Sequence, residues 1–491
     1  MDTATEAWMR AVESRDARFD GWVTVGVTST GIYCRPSCPT PVRPKRTNMR
    51  FFSTPAAAQQ AGFRSCKRCA PDATPGSPEW NRRDDLVARA VRAIDDGEVD
   101  RSGVAGLADH LGVSARHLQR VLTEEVGTGP KALARARRGR AARVLIETTT
   151  MSFAEISVAT GFRSVRQFND TISSIFATTP REMRRKAGSR RTTGPGEWIP
   201  VRLSYRPPLA SRQLLRWLNL HAVVGVEEVE GHTYRRSLRL PGGVGVVEVD
   251  IQSTSRDMLP ARFRLQSMAD LPQAINRVRR LLDLDADPLV IAADLGADSI
   301  MASLVEGTPG LRSPGEVSGT DAAIRAVLHQ QVSLASARSM TARLVAAHGI
   351  ALPNPVGTIR YAFPDAGVWA RADADSLGLP ESRAQAVVNL GAALHANWVD
   401  LSPWADRTVA ISAITRIKGI GPWTANIVAA KALADPDAFG ANDLALLRQA
   451  EKLGLPGNAA ELEQRAERWR PWRSYAMHHL WNLYLNELEQ Q

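Results

Sequence analysis

The chain has 491 residues, enough for roughly two to four domains, and its 44% hydrophobic content is ordinary for packed globular units. The formal net charge is +11, and residues 1–197 carry the whole excess, since acidic and basic residues are equal in number after them. No run reaches the roughly 20 apolar residues of a membrane helix, and the N-terminus lacks the apolar segment of a secretory signal. We therefore expect a cytoplasmic protein with no membrane partner.

All four cysteines lie near the N-terminus in two close pairs, Cys34 with Cys38 and Cys66 with Cys69. Two such pairs separated by a loop have the spacing of a tetrahedral zinc site, because each pair can occupy one edge of the tetrahedron. Two disulfides are the alternative, but thiols stay reduced in the cytosol. The sequence therefore predicts one zinc ion bound by all four cysteines.

Basic residues surround these cysteines, with Arg50 and Arg64 close by. A solvated surface is the ordinary explanation of such a charge run. These basic residues surround a metal site, a position that also suits contact with a phosphate backbone. The sequence therefore predicts double-stranded DNA as a partner and a nucleoid-associated location. The predicted backbone contacts are Arg35, Arg43, Lys45, Arg46, Lys67 and Arg68.

Residues 19–21, 30–38 and 61–69 resemble the N-terminal domain of the Ada methylation-response proteins. In that family the first cysteine is both a zinc ligand and the acceptor of a methyl group from a DNA methylphosphotriester. The resemblance therefore implies that Cys34 is the nucleophile. Four thiolates around one zinc ion carry net negative charge, and methylation of one thiolate removes a charge, which weakens repulsion from DNA phosphates.

The segment between the turn-rich stretches 71–78 and 188–196 is predicted to be helical, because its apolar residues recur at intervals of three and four. It contains two helix-turn-helix patterns, with turns at Gly112 and Gly161. An ordinary helical hairpin has the same turn, but two in tandem favour DNA binding. The predicted base or backbone contacts, on the second helix of each pattern, are Arg116, Gln119, Arg166 and Gln167.

The second pattern resembles the AraC family of transcription activators, through residues 161–164, Phe168 and residues 179–180. One departure is Asp170, since many members of that family have a basic residue at this position. The resemblance implies promoter DNA and RNA polymerase as partners of this segment.

Residues 198–311 alternate short apolar runs with turns. Residues 223–226 and 244–249 are predicted strands, and residues 241–243 are a predicted turn. After Ser318 the pattern is helical to the end of the chain. The sequence therefore predicts a β-rich part followed by an all-α part.

Within the helical part, residues 414–425 join two helices through a loop that contains Gly419 and Gly421. Glycines in such a hairpin permit positive φ angles and exposed amides that can hold a phosphate at a helix N-terminus. A plain connection between helices is the alternative. Asp443 follows Gly421, the second glycine of the loop, by 22 residues. An acidic residue at this distance favours a functional, phosphate-binding hairpin over a plain connection between helices.

Together with residues 466–476, these features resemble the helix-hairpin-helix DNA glycosylases, and specifically the AlkA branch that removes alkylated bases. The resemblance implies a TBP-like, β-rich subdomain before the hairpin domain, with Asp443 as the catalytic residue. It also implies that Gln331 wedges into the duplex where a base is flipped out. The implied pocket residues are Trp217, Trp423 and Trp481, and the implied hairpin contacts to DNA are Lys418, Gly419, Gly421 and Thr424.

A carboxylate suits this reaction, because glycosidic cleavage passes through an oxocarbenium-like state that an anion stabilises. An alkylated purine is already cationic, so it leaves without a general acid and can stack on aromatic faces. The family usually has tyrosines where this chain has Ile427 and Leu444, which leaves the range of excised bases open.

Three residue types that other activities require are absent from the relevant positions of this sequence. Trp423 stands where strand-cutting relatives have a Schiff-base lysine, so a monofunctional glycosylase is expected. The C-terminal part has no cysteines, which excludes an iron–sulfur cluster there. No second cysteine lies in a Pro-Cys-His-Arg setting, which excludes repair of alkylated guanine oxygen.

The sequence thus predicts a mostly α, multidomain protein with α+β parts. The predicted domains are the zinc methyl-acceptor domain 1–77, the tandem helix-turn-helix domain 78–190, the AlkA-like β-rich subdomain 197–313 and the helix-hairpin-helix domain 314–491. The predicted function combines methyl transfer to Cys34, transcription activation and excision of alkylated purines. Two alternatives remain open: a methylation-responsive activator whose glycosylase part is an inactive DNA-binding scaffold, and a zinc-containing DNA-binding protein without methyl transfer.

Overall fold

The structure, a computed structural model, describes residues 3–73, 77, 83, 85–187, 197–253 and 257–490. The chain divides into two compact units. The first unit comprises residues 1–205, 240–243 and 262–276, and the second comprises residues 206–239, 244–261 and 277–491. Residues 74–76 and 78 of the linker predicted at 71–78, and all of the linker predicted at 188–196, lie outside the described residues. Among the described helices, none is both long and apolar enough to span a bilayer.

The first unit begins with a helix and a small four-stranded sheet that carries a second helix. These elements are α1 (Thr3–Ser14), β1 (Thr24–Val27), β2 (Ile32–Cys34), β3 (Met49–Phe52), α2 (Pro55–Gln60) and β4 (Arg64–Ser65). The strand order is β3-β1-β2-β4, in which β1 is antiparallel to both neighbours and β2 is parallel to β4. Tyr33 of β2 is fully buried, and its hydroxyl bonds to the carboxylate of Asp72. This sheet therefore fixes the two segments that carry the cysteines.

Within residues 85–187, which the structure describes throughout, the chain forms seven α-helices, and the sequence predicts a helical segment here. They are α3 (Leu86–Asp95), α4 (Glu98–His110), α5 (Ala115–Val126), α6 (Pro130–Thr148), α7 (Phe153–Ala159), α8 (Val165–Phe176) and α9 (Pro180–Lys186). Gly103, with φ +74°, interrupts α4. Ser114 and Ser164 cap α5 and α8, because their hydroxyls accept hydrogen bonds from the backbone N–H of His117 and Gln167. Both predicted helix-turn-helix turns are thereby confirmed.

The next part of the chain mixes strands and helices. Its elements are β5 (Trp198–Ser204), α10 (Ser211–His221), β6 (Glu227–Glu230), β7 (Thr233–Leu240), β8 (Gly243–Asp250), β9 (Met258–Leu265), α11 (Leu271–Leu281), α12 (Pro288–Leu295) and α13 (Ser299–Gly307). The strand predicted at 244–249 is confirmed as part of β8, but the strand predicted at 223–226 is wrong. Those residues form a turn after α10, because Gly225 has φ +88° and Val226 N–H bonds to Val223 O at 3.0 Å.

The C-terminal part is helical apart from one hairpin. Its elements are α14 (Gly319–Leu328), α15 (Leu334–His348), β10 (Ile350–Val356), β11 (Ile359–Ala362), α16 (Ala366–Ala370), α17 (Glu381–His395), α18 (Arg407–Thr415), α19 (Pro422–Ala432), α20 (Leu444–Lys452), α21 (Ala459–Ala466) and α22 (Arg473–Gln490). The expectation of helix alone after Ser318 is wrong at β10 and β11. Pro353, Pro355 and Gly357 disfavour a helix there and permit a turn.

A buried cluster of charges lies in the second unit. Arg236 of β7 is 1% exposed and pairs with Glu227, directly opposite on β6, at 3.1 Å and with Asp321 at 3.4 Å. It also pairs with Glu316, which in turn binds Arg325 at 2.8 Å. Burial alone would lower the pKa of Arg236, but the carboxylates around it hold that pKa well above its usual value. The cluster ties the strands of this unit to α14.

Removing the cation from this cluster should destabilise the second unit strongly. In Arg236→Met, buried carboxylates lose their counter-charge, and such a loss costs about 3–5 kcal/mol. Urea unfolding followed by tryptophan fluorescence measures the effect. Arg120→Met, which breaks an exposed pair with Glu124, is the control and should change the free energy of unfolding by less than about 1 kcal/mol. Equal stability of the two variants would contradict the assigned importance of the cluster.

Candidate functional sites

The four cysteines converge on one point in the first unit. Their sulfur atoms all lie within 4.8 Å of one another, and the Sγ atoms of Cys38 and Cys66 are 3.9 Å apart. A tetrahedral zinc ion with Zn–S bonds of about 2.3 Å requires sulfurs about 3.8 Å apart. The four thiols therefore fit a zinc ion. Cys34 is half-buried, whereas Cys38, Cys66 and Cys69 are buried, so Cys34 is the ligand that a reagent can approach.

Backbone and side-chain hydrogen bonds shape both cysteine segments. Asp20 accepts a hydrogen bond from Ser37 N–H at 3.0 Å and pairs with Arg35 at 3.3 Å, which holds the turn between Cys34 and Cys38. Cys66 N–H donates to Tyr33 O at 3.0 Å. Asp20 was not singled out from the sequence as a site residue, although it lies in the stretch 19–21 that carries the resemblance.

The predicted phosphate contacts around the zinc site differ in their surroundings. Arg35 is half-buried, while Arg43, Lys45 and Arg68 are exposed. Arg46 is bound within the chain, to Glu6 at 2.9 Å and to Glu13 at 2.6 Å on α1. Lys67 donates from Nζ to Ala177 O at 3.1 Å, at the end of α8 in the second helix-turn-helix. With the Arg35–Asp20 pair, the structure therefore gives three of the six predicted contacts a partner inside the protein.

The four predicted contacts of the helix-turn-helix segment are all exposed. Arg116 and Gln119 lie on α5, and Gln119 donates to the Thr123 hydroxyl at 3.0 Å. On α8, Gln167 accepts from Arg163 N–H at 3.1 Å, and the side chain of Arg166 is 93% exposed. These exposed side chains lie in the N-terminal halves of α5 and α8, as recognition of base edges requires.

A cavity of about 180 Å³ lies within the second unit. It brings together all three predicted pocket tryptophans and the predicted catalytic carboxylate. The lining also includes one departure from the family pattern, Ile427, whereas Leu444 does not line the cavity and is 73% exposed. The residues that matter for the argument are Trp217, Trp423, Trp481, Ile427, Lys431 and Asp443.

Asp443 is held by three donors. It caps α20, where Oδ1 accepts from Leu446 N–H at 3.0 Å. The indole N–H of Trp481 donates to the same oxygen, and the indole N–H of Trp423 donates to Oδ2, each at 3.2 Å. Each carboxylate oxygen has two lone pairs, so the donors among the described residues leave one acceptor position on Oδ2. A half-buried carboxylate is thus fixed in orientation beside the cavity.

Of the two glycines in the hairpin between α18 and α19, Gly419 has the positive φ that the sequence predicts, whereas Gly421, with φ −94°, does not. Gly419 has φ +93°, and a Cβ there would lie 2.8 Å from the Ala386 Cβ. Lys418, Gly419 and Gly421 are exposed, but Thr424 is only 2% exposed. The Thr424 hydroxyl instead accepts a hydrogen bond from Gln330 Nε2 at 2.8 Å, and the same amide donates to Gly419 O at 2.9 Å.

Gln331 lies at the tip of the turn after α14. Its backbone has φ +53°, a conformation that non-glycine residues rarely adopt, and its side chain is exposed. Gln330 before it is bound to the hairpin, and Arg383 donates to Gln330 O at 2.6 Å. Sequence reasoning missed the role of Gln330, which attaches the exposed Gln331 to the hairpin.

Sequence reasoning also missed Lys431, which lines the cavity. Its Nζ lies 4.5 Å from the ring centroid of Trp217 and 5.7 Å from that of Trp481. Burial lowers the pKa of Lys431 to about 7. A signal was present in the sequence, because Trp423, Ile427 and Lys431 follow one another at steps of four and therefore share one face of α19.

Comparison with known proteins matches these parts of the chain to described families. Residues 7–72 match the metal-binding domain of Ada, residues 107–186 match a helix-turn-helix domain, and residues 200–318 match the AlkA N-terminal domain. The four clustered cysteines are therefore a zinc site.

Relatives extend over nearly the whole chain. A probable bifunctional transcriptional activator/DNA repair enzyme AlkA of Mycobacterium tuberculosis is 47% identical over 479 residues, which cover 97% of this chain and 96% of the relative. DNA-3-methyladenine glycosylase 2 of Escherichia coli is 32% identical over 283 residues, covering 57% of this chain and 95% of that protein. A solved 3-methyladenine DNA-glycosylase from Archaeoglobus fulgidus shares the fold, with TM-score 0.51 and 21% identity over 57% of this chain and 96% of its own.

Fold and sites together define a DNA repair enzyme with glycosylase similarity, joined to a zinc-binding, helix-turn-helix transcription activator. The chain belongs to the family of AlkA-type bifunctional transcriptional activator/DNA repair enzymes.

Zinc content should depend on the buried thiols. We expect one zinc ion per chain, and loss of most of it in Cys69→Ala, because three thiolates cannot complete the tetrahedron. Structural zinc contributes about 10–16 kcal/mol of apparent binding free energy, so a chelator should unfold this part of the first unit. Elemental analysis and thiol accessibility measure both effects. Thr30→Ala, an exposed change in the turn between β1 and β2, is the control. Full zinc content in Cys69→Ala would contradict the ligand assignment.

Proposed function

We propose that this protein couples two responses to DNA alkylation. Residues 1–190 accept a methyl group irreversibly from a DNA methylphosphotriester at Cys34 and then activate transcription with RNA polymerase. Residues 197–491 excise alkylated purines such as 3-methyladenine as a monofunctional glycosylase. The observation that carries the excision proposal is the Asp443 carboxylate, held by two indole N–H groups beside the cavity.

In the methyl transfer, an electron pair of the Cys34 sulfur forms the new bond to the methyl carbon. The bond between that carbon and the phosphate oxygen breaks, and the phosphotriester leaves as an ordinary phosphodiester anion. Bound zinc keeps the thiols deprotonated at neutral pH. The half-exposed position of Cys34 supports its choice over the three buried cysteines. Nothing in the reaction regenerates the thiolate, so each chain reacts once.

The same step changes the charge of the DNA-binding surface. A thiolate becomes a neutral thioether, and one negative charge disappears beside the exposed Arg43, Lys45 and Arg68. Repulsion from DNA phosphates then falls, which increases affinity without any new contact. Exposed Arg116, Gln119, Arg166 and Gln167 are the proposed readers of the promoter.

Cys34 should gain the mass of one CH₂ after exposure to duplex DNA that carries methylphosphotriesters. The half-exposed thiolate is the accessible nucleophile, and peptide mass analysis locates the modification. Cys34→Ala is the control and should gain none. A methyl group on Cys38 or Cys69 would overturn the assignment.

The methylated protein should also bind promoter DNA more tightly than the unmethylated protein across a salt series. Equal affinities would remove the charge switch while leaving the methyl transfer intact.

In the excision, the glycosidic bond breaks and its electron pair leaves with the base, so a cationic alkylated purine departs as a neutral base. The Asp443 carboxylate stabilises the oxocarbenium character that develops on the sugar. The remaining acceptor position on Oδ2 can orient the water that adds to the sugar carbon, and a proton of that water is released. Trp423 stands where a Schiff base would form in strand-cutting relatives, which supports simple hydrolysis.

Asp443→Asn should lower the rate of base excision roughly 100-fold or more, because the amide keeps the shape but loses the charge. Asn is an equally good helix cap, so the fold should survive. Single-turnover assays on alkylated duplex measure the rate. Asp406→Asn, which replaces the cap of α18 away from the cavity lining, is the matched control and should excise normally.

Two further outcomes separate the alternatives. Product DNA should break only after alkali, as monofunctional chemistry requires. Excision by Asp443→Asn at the wild-type rate, or no excision by the wild type, would favour a DNA-binding scaffold over an enzyme.

A further inference from the structure

The inner part of the cavity is built around Lys431. Its Cα follows that of Trp423 by eight residues on α19, which is about 12 Å along a helix axis. Trp423 near the start of α19 bonds to Asp443, and Lys431 near the end of α19 lines the same cavity. A base that occupies this cavity in the proposed function can therefore contact Lys431.

The aromatic wall beside Lys431 is already stacked. The ring centroids of Trp217 and Trp481 are 5.5 Å apart, and His221 stacks on Trp217 at 3.9 Å. A base inserted between two rings needs about 7 Å, twice the closest carbon–carbon contact. A flipped base therefore does not enter between Trp217 and Trp481. It meets them as one wall, with the Lys431 amine 4.5 Å from the centroid of Trp217.

Lys431 is held in this position by two polar contacts. Its Nζ donates to Pro314 O at 2.7 Å and lies 2.8 Å from His478 Nε2. Burial is the main influence on its pKa and lowers it to about 7; Glu316 and Asp283 oppose this shift, and Arg325 adds to it. The amine is thus neither firmly charged nor firmly neutral near physiological pH.

The histidines around Lys431 do not share this behaviour. Burial lowers the pKa of His329 to about 3 and holds the pKa values of His221 and His478 well below the usual range. Asp283 is the other group that titrates nearby, since burial raises its pKa to about 6. Charging of Lys431 near pH 7 is therefore separable from charging of the three histidines.

We propose that Lys431 sets the charge preference of the base pocket: its ammonium disfavours a cationic alkylated base, and its neutral amine admits one. The proposal rests on the proposed excision function. Like charges repel strongly in a cavity from which water is largely excluded. The faces of Trp217 and Trp481 that would attract a cationic base already lie next to the lysine, so the two cations compete for them.

The sign of the pH dependence follows. Below about pH 7 the ammonium predominates, so excision of a cationic base is slowed relative to a neutral one. As the pH rises through the pKa of Lys431, the ammonium is lost and the relative rate for the cationic base increases. For a neutral base, the change in the charge of Lys431 does not alter the electrostatic repulsion.

The test compares excision of 3-methyladenine, whose positive charge in DNA does not depend on a ring N–H, with excision of hypoxanthine, which is neutral, from otherwise identical duplexes. Single-turnover rates are measured from about pH 5.5 to about 8.5 for the wild type, Lys431→Met and Lys431→Gln. Lys431→Met removes the charge, and Lys431→Gln removes the charge but keeps a donor for Pro314 O. If only one of the two variants folds, that variant alone is enough for the comparison. Lys452→Met, at an exposed ion pair with Glu487, is the matched lysine control. Protonation of the lesion itself is common to all proteins and cancels between them.

For each protein, we take the ratio of the excision rate of the cationic base to that of the neutral base. This ratio, divided by the same ratio for the Lys431 variants, should rise about tenfold with increasing pH in the wild type and in Lys452→Met. The same pH dependence in Lys431→Met or Lys431→Gln as in the wild type would overturn the inference. So would trapping of Lys431 on DNA by borohydride, which would make it a Schiff-base nucleophile near the sugar.

Failure of the proposed excision function is distinguishable from failure of this inference. If the wild type excises neither base, the excision proposal fails. Quenching of tryptophan fluorescence by free 7,9-dimethyladeninium, which stays cationic because it has no ring N–H, and by neutral 9-methyladenine then tests the charge preference without chemistry. Tighter binding of the cation at high pH in the wild type, and not in Lys431→Gln, supports the role of Lys431; a preference unaffected by the variant contradicts it.

Discussion

A carboxylate beside an aromatic cavity must find hydrogen-bond donors, and the second unit is organised around that constraint. Asp443 receives one donor from the N-terminus of α20 and two indole donors, from Trp423 on α19 and Trp481 on α22. Three helices are thereby fixed relative to one anion. Since the donors are neutral, they orient the carboxylate without cancelling its charge, which is the property that stabilisation of an oxocarbenium-like state requires.

The same cavity is lined by a carboxylate and by a buried amine. Trp423, whose indole N–H donates to Asp443, and Lys431, which lies two helical turns further along α19 next to the stacked indoles, both face this cavity. Glu316 of the buried charge cluster also lines the cavity and opposes the lowering of the Lys431 pKa by burial. In the proposed function, the carboxylate stabilises the positive charge that develops on the sugar, and Lys431 sets the charge preference for the base. Reaction and selectivity then depend on different residues.

The sequence predicted whatever is encoded at short range. The cysteine pairs, both helix-turn-helix turns and Gly419 of the hairpin all depend on spacing within a few residues, and the structure reproduces their local geometry. The sequence did not predict the contacts that depend on tertiary packing. Thr424 is covered by Gln330, Arg46 is paired with Glu13, and Lys67 caps α8. A strand at 223–226 failed because β-branched composition cannot reveal that Gly225 turns the chain.

The proposed function uses two reactive anions, the Asp443 carboxylate, which is reused, and the Cys34 thiolate, which is methylated once, and their surroundings differ accordingly. Asp443 is surrounded by neutral N–H donors, so its charge persists from one turnover to the next. Cys34 shares its charge with three buried thiols around one zinc site, so its methylation leaves a site that is less negative yet still has three thiolates. Lys67, between two of those cysteines, is bonded to the end of α8. The cysteine that is consumed thus belongs to a site linked to the helix-turn-helix segment, whereas the carboxylate that must last is enclosed in the cavity of the second unit.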